Sequence, residues 1–124
     1  MQQKGRIVIV EPDDLIRGLL ERWLGEAGYA VVVGASQTLL GTVAEGGAAH
    51  LVIIDVSTPH SAENIVKSVR EAHAGPILLL SARFRRGTNS SISVAQQLGV
   101  RNVLPKPFTR DELLSAVGES IDRR

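Results

Sequence analysis

The sequence predicts an α/β domain in which a five-stranded parallel sheet carries helices on both faces, and three observations predict it. First, Ile7-Val8-Ile9-Val10, Leu51-Val52-Ile53-Ile54 and Ile77-Leu78-Leu79-Leu80 are continuous apolar runs of strand length, without the polar alternation of a half-exposed strand. Strands buried on both faces of a parallel sheet read this way. Second, segments with apolar residues at helical spacing separate the runs, and short loops join them, as right-handed βαβ crossovers require. Third, polar groups able to do chemistry stand directly behind the runs: Glu11, Asp55 and Ser81. In open α/β sheets ligands collect beyond the carboxyl ends of the strands, which is where these residues fall.

The elements follow in order. The first run ends in Glu11-Pro12-Asp13-Asp14, and Asp13 or Asp14 can cap a helix whose apolar face is Leu15, Ile16, Leu19, Leu20, Trp23 and Leu24, with Gly28 as its stop. Ala30 to Val33 is the second strand; Ser36 can cap a helix with the stripe Leu39, Leu40, Val43 and Ala44 before Gly46-Gly47. Leu51 to Ile54 is the central strand. After Pro59, the segment Ala62 to His73 puts Ile65, Val66 and Val69 on one side, with Ser61 as its cap and Gly75-Pro76 as its break. The fourth strand, Ile77 to Leu80, leads through Ser81-Ala82 into the basic loop from Arg83 to Ser91, then a helix from about Ile92 to Leu98 that stops at Gly99. Val100 to Leu104 is a fifth, weaker strand. Pro105-Lys106-Pro107-Phe108 holds an extended turn, because proline disfavours helix at its own position and at the one before. Thr109-Arg110-Asp111-Glu112 is a capping box for a last helix that buries Leu113, Leu114, Val117 and Ile121.

Composition narrows the function. A chain of 124 residues is long enough for one core and too short for two, so residues 1–124 are read as a single domain. Apolar residues at 44% and charged ones at 22% are globular values, leaving only the terminal few residues to fray. The net charge of +1, with both signs interspersed, produces no field that calls for nucleic acid or an anionic membrane as a partner. Without cysteine there is no disulfide framework, thiolate metal site or thiol nucleophile. No apolar run approaches membrane-spanning length, and Glu11, Asp13 and Asp14 interrupt any signal peptide, so the expected location is the cytoplasm.

Asp55 alone reads equally as a turn cap or as a reactive group. Its company carries more. The strand ends bring Glu11, Asp55, Ser81 and Lys106 to one edge of the sheet. Two facing carboxylates repel unless a cation intervenes, and either Mg²⁺ or the Lys106 ammonium answers that need. A carboxylate beside a cation, a hydroxyl and an ammonium can take a phosphoryl group: the positive charges neutralise its oxygens, the hydroxyl donates to it, and Asp55 attacks.

With these residues in place the chain resembles the receiver domain of two-component response regulators over nearly its whole length. The resemblance rests on the acidic end of the first strand, on Leu51 to Asp55 with Pro59 following, on Pro76 to Ser81-Ala82, and on Leu104-Pro105-Lys106-Pro107-Phe108 before Thr109-Arg110-Asp111-Glu112-Leu113. It implies a flavodoxin-like (βα)5 fold with strand order 2-1-3-4-5, for which a member of this family is itself a standard example. It implies that Asp55 accepts phosphate from a histidine kinase or phosphotransfer protein, that Ser81 and Lys106 sense it, that Glu11, Asp55 and Ser57 serve Mg²⁺, and that the bond before Pro107 is cis. It further implies a non-enzymatic phosphorelay switch acting on a downstream protein through the surface around Val103 and the last two helices; because the sequence ends soon after the fifth helix, no output domain is expected.

The chain departs from the family at three places. Receivers usually carry two adjacent acids after the first strand; aligned through Leu15-Ile16-Arg17, Pro12 falls on the second, the one that contacts the metal, and Asp13 lies one residue beyond. A weakened Mg²⁺ site, with Asp13 or water filling the gap, is the expectation. Val103 stands where many receivers carry a rotating aromatic ring, and the loop with Arg83, Arg85 and Arg86 around Phe84 is longer than usual, a solvated loop or an acidic-partner surface. His60 reads as an exposed loop residue and Trp23 as helix packing. The alternative function is a degenerate receiver that docks proteins without phosphorylation. A flavodoxin-like nucleotide binder fits less well, since Glu11, Asp13 and Asp14 would repel a phosphate at the first turn.

Overall fold

The computed structural model describes residues 5–34, 49–56, 59–72, 75–81, 99–100 and 102–122. The described elements are β1 (Arg6–Val10), α1 (Asp14–Glu26), β2 (Ala30–Gly34), β3 (Leu51–Asp55), α2 (Pro59–Ala72), β4 (Ile77–Ser81), β5 (Asn102–Pro105) and α3 (Arg110–Asp122). The strands form one sheet in the order β2-β1-β3-β4-β5, and every neighbouring pair is parallel. The expected helices around Leu39 to Ala44 and Ile92 to Leu98, the Ser36 cap and the basic loop from Arg83 to Ser91 lie outside the described residues.

Continuous apolar runs form the strands because both faces of the sheet are covered. Alternate residues go to opposite cores: Val8, Val52, Ile54 and Leu79 pack with Val66 and Val69 of α2, while Ile7, Ile9, Ile53, Leu78 and Leu80 pack with Leu20 and Leu24 of α1 and Leu113 and Val117 of α3. β3 lies at the centre, and its first four residues are buried. β2 is an edge strand, only partly buried along its length.

Local chemistry sets the helix ends. Asp13 is the N-cap of α1, its Oδ1 accepting from the Ile16 N–H at 3.0 Å, and Gly28, at φ +103°, turns the chain in a conformation that favours glycine. At α3 the capping box closes in both directions: Thr109 Oγ1 accepts from the Glu112 N–H at 3.1 Å, and Glu112 Oε1 from the Thr109 N–H at 2.8 Å. One cap differs from expectation. Ser61 falls inside α2, which begins at Pro59, because proline suits the first helical turn, where its missing N–H has no partner to lose. β5 likewise runs Asn102–Pro105, two residues later than its apolar pattern starts. No helix among the described residues is long and apolar enough to cross a membrane.

Candidate functional site: a carboxylate pair on one ammonium

Three adjacent strand ends and one beside them build the site. Glu11 follows β1, Asp55 ends β3, Ser81 ends β4, and Lys106 follows β5; since β1, β3, β4 and β5 are neighbours in that order, their carboxyl ends share one edge. The Lys106 Nζ lies 2.8 Å from Glu11 Oε1 and 2.5 Å from Asp55 Oδ1. The Glu11 side chain is 1% exposed, Asp55 19% and Lys106 14%, so the acid on β3 is the one that keeps a face toward solvent. Ser81 is buried, and its carbonyl accepts from the Lys106 N–H at 2.9 Å, which ties the Lys106 backbone to the end of β4. The Lys106–Pro107 bond is cis.

The turn after β1 answers what replaces the second acid. Pro12 is exposed and brings no side-chain oxygen. Asp13 is exposed and gives one carboxylate oxygen to the helix cap; its N–H reaches back to Glu11 Oε2 at 3.3 Å. Both Glu11 oxygens therefore have donors. Arg17 completes the turn: its Nη1 donates to the Glu11 carbonyl at 2.9 Å and lies 3.4 Å from that of Pro12, while Nη2 pairs with Asp14. Sequence reasoning passed over Arg17; its place on the first turn of α1, six residues after Glu11, was the available signal. Ser57 lies outside the described residues. Among those described, no three His, Cys, Asp or Glu side chains converge as a metal cluster.

Burial disfavours a charged Lys106, but hydrogen bonds and charge attraction from Asp55 and Glu11 outweigh it and hold its pKa above the ordinary 10.5. A folded-state pKa raised above the unfolded value contributes stability that is fully present below the unfolded pKa and lost as pH rises through the folded one. We expect the urea midpoint to fall in the alkaline range above pH 10.5 more steeply for the wild type than for Lys106→Met. Parallel curves for the two proteins would remove the attribution to Lys106.

Beside the carboxylates an apolar groove of about 300 Å³ runs between α1 and the turn after β5, lined by Ile16, Leu19, Leu20, Trp23, Lys106, Pro107 and Phe108. Leu15 and Leu19 are the exposed large hydrophobic residues nearby, at 75% and 37%. Trp23 thus has one side in the core and one on the groove. Val103 is 6% exposed and packs in the core, so it contributes no surface of its own.

A doubly wound parallel sheet in the order 2-1-3-4-5, with carboxylates and a lysine at its carboxyl edge, defines the flavodoxin-like class to which receivers belong. The family model described as "Response regulator receiver domain" matches residues 7–118, and the chain belongs to that family. It is 31% identical over 118 residues to Protein PetR of Rhodobacter capsulatus, covering 94% of this chain and 48% of PetR. The chain spans between about a quarter and a half of the curated relatives it matches. Its fold is similar to the chemotaxis response regulator CheY4 of Vibrio cholerae, at a TM-score of 0.75 and 24% identity, over 94% of this chain and 98% of that one. It is also similar to the receiver domain of the sensor histidine kinase PA1611 of Pseudomonas aeruginosa PAO1, a structure with a magnesium ion coordinated in its active-site cleft, at a TM-score of 0.67 and 25% identity, over 94% and 97% of the two chains. The chain is therefore a receiver domain, a signalling module of two-component systems.

Proposed function

We propose that this receiver accepts a phosphoryl group on Asp55 from a histidine kinase or phosphotransfer protein and thereby switches its binding to a downstream protein. The observation that carries the reading is the position of Asp55: at the end of the buried central strand, partly open to solvent, with one carboxylate oxygen held on the Lys106 ammonium. In the step proposed, an Asp55 oxygen forms a bond to phosphorus while the phosphorus–nitrogen bond of the donor's phosphohistidine breaks, its electron pair returning to the imidazole. Lys106 offsets the charge that accumulates on the phosphoryl oxygens, and the Ser81 hydroxyl donates to one of them.

The donor set supports a divalent cation: Glu11 and Asp55 offer only oxygen, with more negative than positive charge, which suits a hard ion. Glu11, Asp55 and Ser57 would hold Mg²⁺, with Asp13 as a further carboxylate close by in sequence, and the bound ion would neutralise phosphoryl charge. With Pro12 in the turn the binding is weak. Output runs through the surface around Val103 and the last two helices; Val103 itself is buried, and α3 exposes Ser115 and Glu119. The proposed setting is cytoplasmic, with neither nucleic acid nor membrane as a direct partner.

The test is intact mass after incubation with a small phosphodonor across a Mg²⁺ titration. A single Mg²⁺-dependent phosphoryl adduct, absent in Asp55→Asn, is expected. A second reading, a receiver that docks proteins without phosphorylation, is favoured by Pro12 and by the commitment of Asp13 to the helix cap. Absence of adduct at every Mg²⁺ concentration, and with candidate kinases, would select it.

A further inference from the structure

On the reading of Asp55 as the phosphoacceptor, we propose that Arg17 is a positioning residue for that site: its guanidinium staples the turn between β1 and α1 and so fixes where Glu11 stands beside Asp55. The staple itself can be measured without any phosphodonor.

Local geometry carries the assignment. A chain entering a helix is commonly held by an apolar contact between the residue before the N-cap and the fourth residue of the helix. With Asp13 as the cap of α1, those places belong to Pro12, which is exposed, and to Arg17, which is partly buried. Polar bonds take over the contact. Arg17 Nη1 donates to the Glu11 carbonyl at 2.9 Å and lies 3.4 Å from the Pro12 carbonyl, while Asp14, the first helical residue, holds Nη2 and aims the guanidinium. Pro12 has no N–H with which the turn could brace itself, so a side chain supplies the donors. The main chain of Glu11 is thus fixed by Arg17, and its Oε2 accepts from the Asp13 N–H at 3.3 Å. That leaves Oε1 facing the strand ends, 2.8 Å from the Lys106 ammonium that also meets Asp55. The arrangement runs against local preference, because a cation lying over the first turn opposes the helix dipole. Where a local rule is broken, the gain is expected at a site rather than in the helix.

The test compares wild type, Arg17→Met and Arg17→Lys in the rate at which a small phosphodonor labels Asp55 at saturating Mg²⁺, followed by intact mass under conditions where urea unfolding shows each protein to be folded. Arg17→Met, which keeps a long stem and loses the donors, is expected to react about tenfold more slowly. Arg17→Lys, which still brings a donor to the carbonyls, should react about threefold faster than Arg17→Met. A wild-type rate in Arg17→Met, or no recovery by lysine, overturns the proposal. Amide exchange, read by NMR, needs no phosphodonor: at Asp13 it should be about fivefold faster in Arg17→Met while Ile9 and Ile53 stay unchanged, since only the turn opens. Unchanged exchange at Asp13, or equal acceleration at all three, overturns the proposal. If Arg17→Met does not fold, Asp14→Asn, at an exposed position, takes its place, with labelling about threefold slower expected and a wild-type rate overturning the proposal. A wild type that takes no phosphoryl group on Asp55, while exchange at Asp13 still depends on Arg17, keeps the staple and loses the functional reading instead.

Discussion

Replacing Lys106 by methionine is expected to lower the unfolding free energy by roughly 3 kcal/mol in metal-free buffer at neutral pH. The methionine keeps most of the stem's contact with the groove, so the loss is electrostatic. Glu11, at 1% exposure, would be left as a buried carboxylate beside a second acid with no cation between them, and removing one partner of a buried pair leaves that charge uncompensated. The figure lies at the low end of such effects because Asp55 keeps 19% of its side chain in solvent. The measurement is urea unfolding of Lys106→Met, Glu11→Gln and the double variant. If the pair interacts as its 2.8 Å separation indicates, the double variant is more stable than Lys106→Met alone, since the orphaned charge has gone. Strictly additive losses would mean that Glu11 and Lys106 do not depend on each other.

Ile53→Ala is expected to cost about 2–5 kcal/mol, a large part of the roughly 5–15 kcal/mol that holds a domain together. Ile53 is fully buried on the central strand, in register with Ile9 of β1 and Leu78 of β4, and it belongs to the core that α1 and α3 cover. Strands on both sides hold the neighbouring residues in place, so the gap does not close by local collapse. The urea midpoint should fall with an unchanged slope. Asp55 sits two residues further along the same strand, so phosphorylation by a small donor, measured well below the transition, should persist. That outcome would separate the strand's structural role from the chemistry at its end.

Much of the fold was legible because its signals are local. A strand covered on both faces cannot alternate, and Ile7 to Val10, Leu51 to Ile54 and Ile77 to Leu80 do not. The Thr109 and Glu112 box spans three residues, and the Asp13 cap likewise reaches only to Ile16, so the box could be read, and the cap narrowed to Asp13 or Asp14, without knowing what lies across the sheet. Where a local signal was ambiguous, reading was poorer: Ser61 and Pro59 both suit a helix start, and the missing N–H of proline decided for Pro59. Val103 could be placed at an output face by resemblance, but its burial depends on what packs against β5.

By itself, then, the sequence determined the alternation of strands and helices, a cap at Thr109 and one at Asp13 or Asp14, and the set of polar residues behind the strands, because each depends on neighbours a few positions away. Only the tertiary structure decided what those polar residues do to one another. Glu11 and Lys106 are separated by 95 positions, and either could have stood in water; the order of β1, β3, β4 and β5 brings both to Asp55 and makes one ammonium serve two acids. The packing of α1 beside β1 also turns the Arg17 guanidinium onto the Glu11 carbonyl. Charge balance in a pocket is a property of distances between elements, and those distances exist only once the sheet has formed.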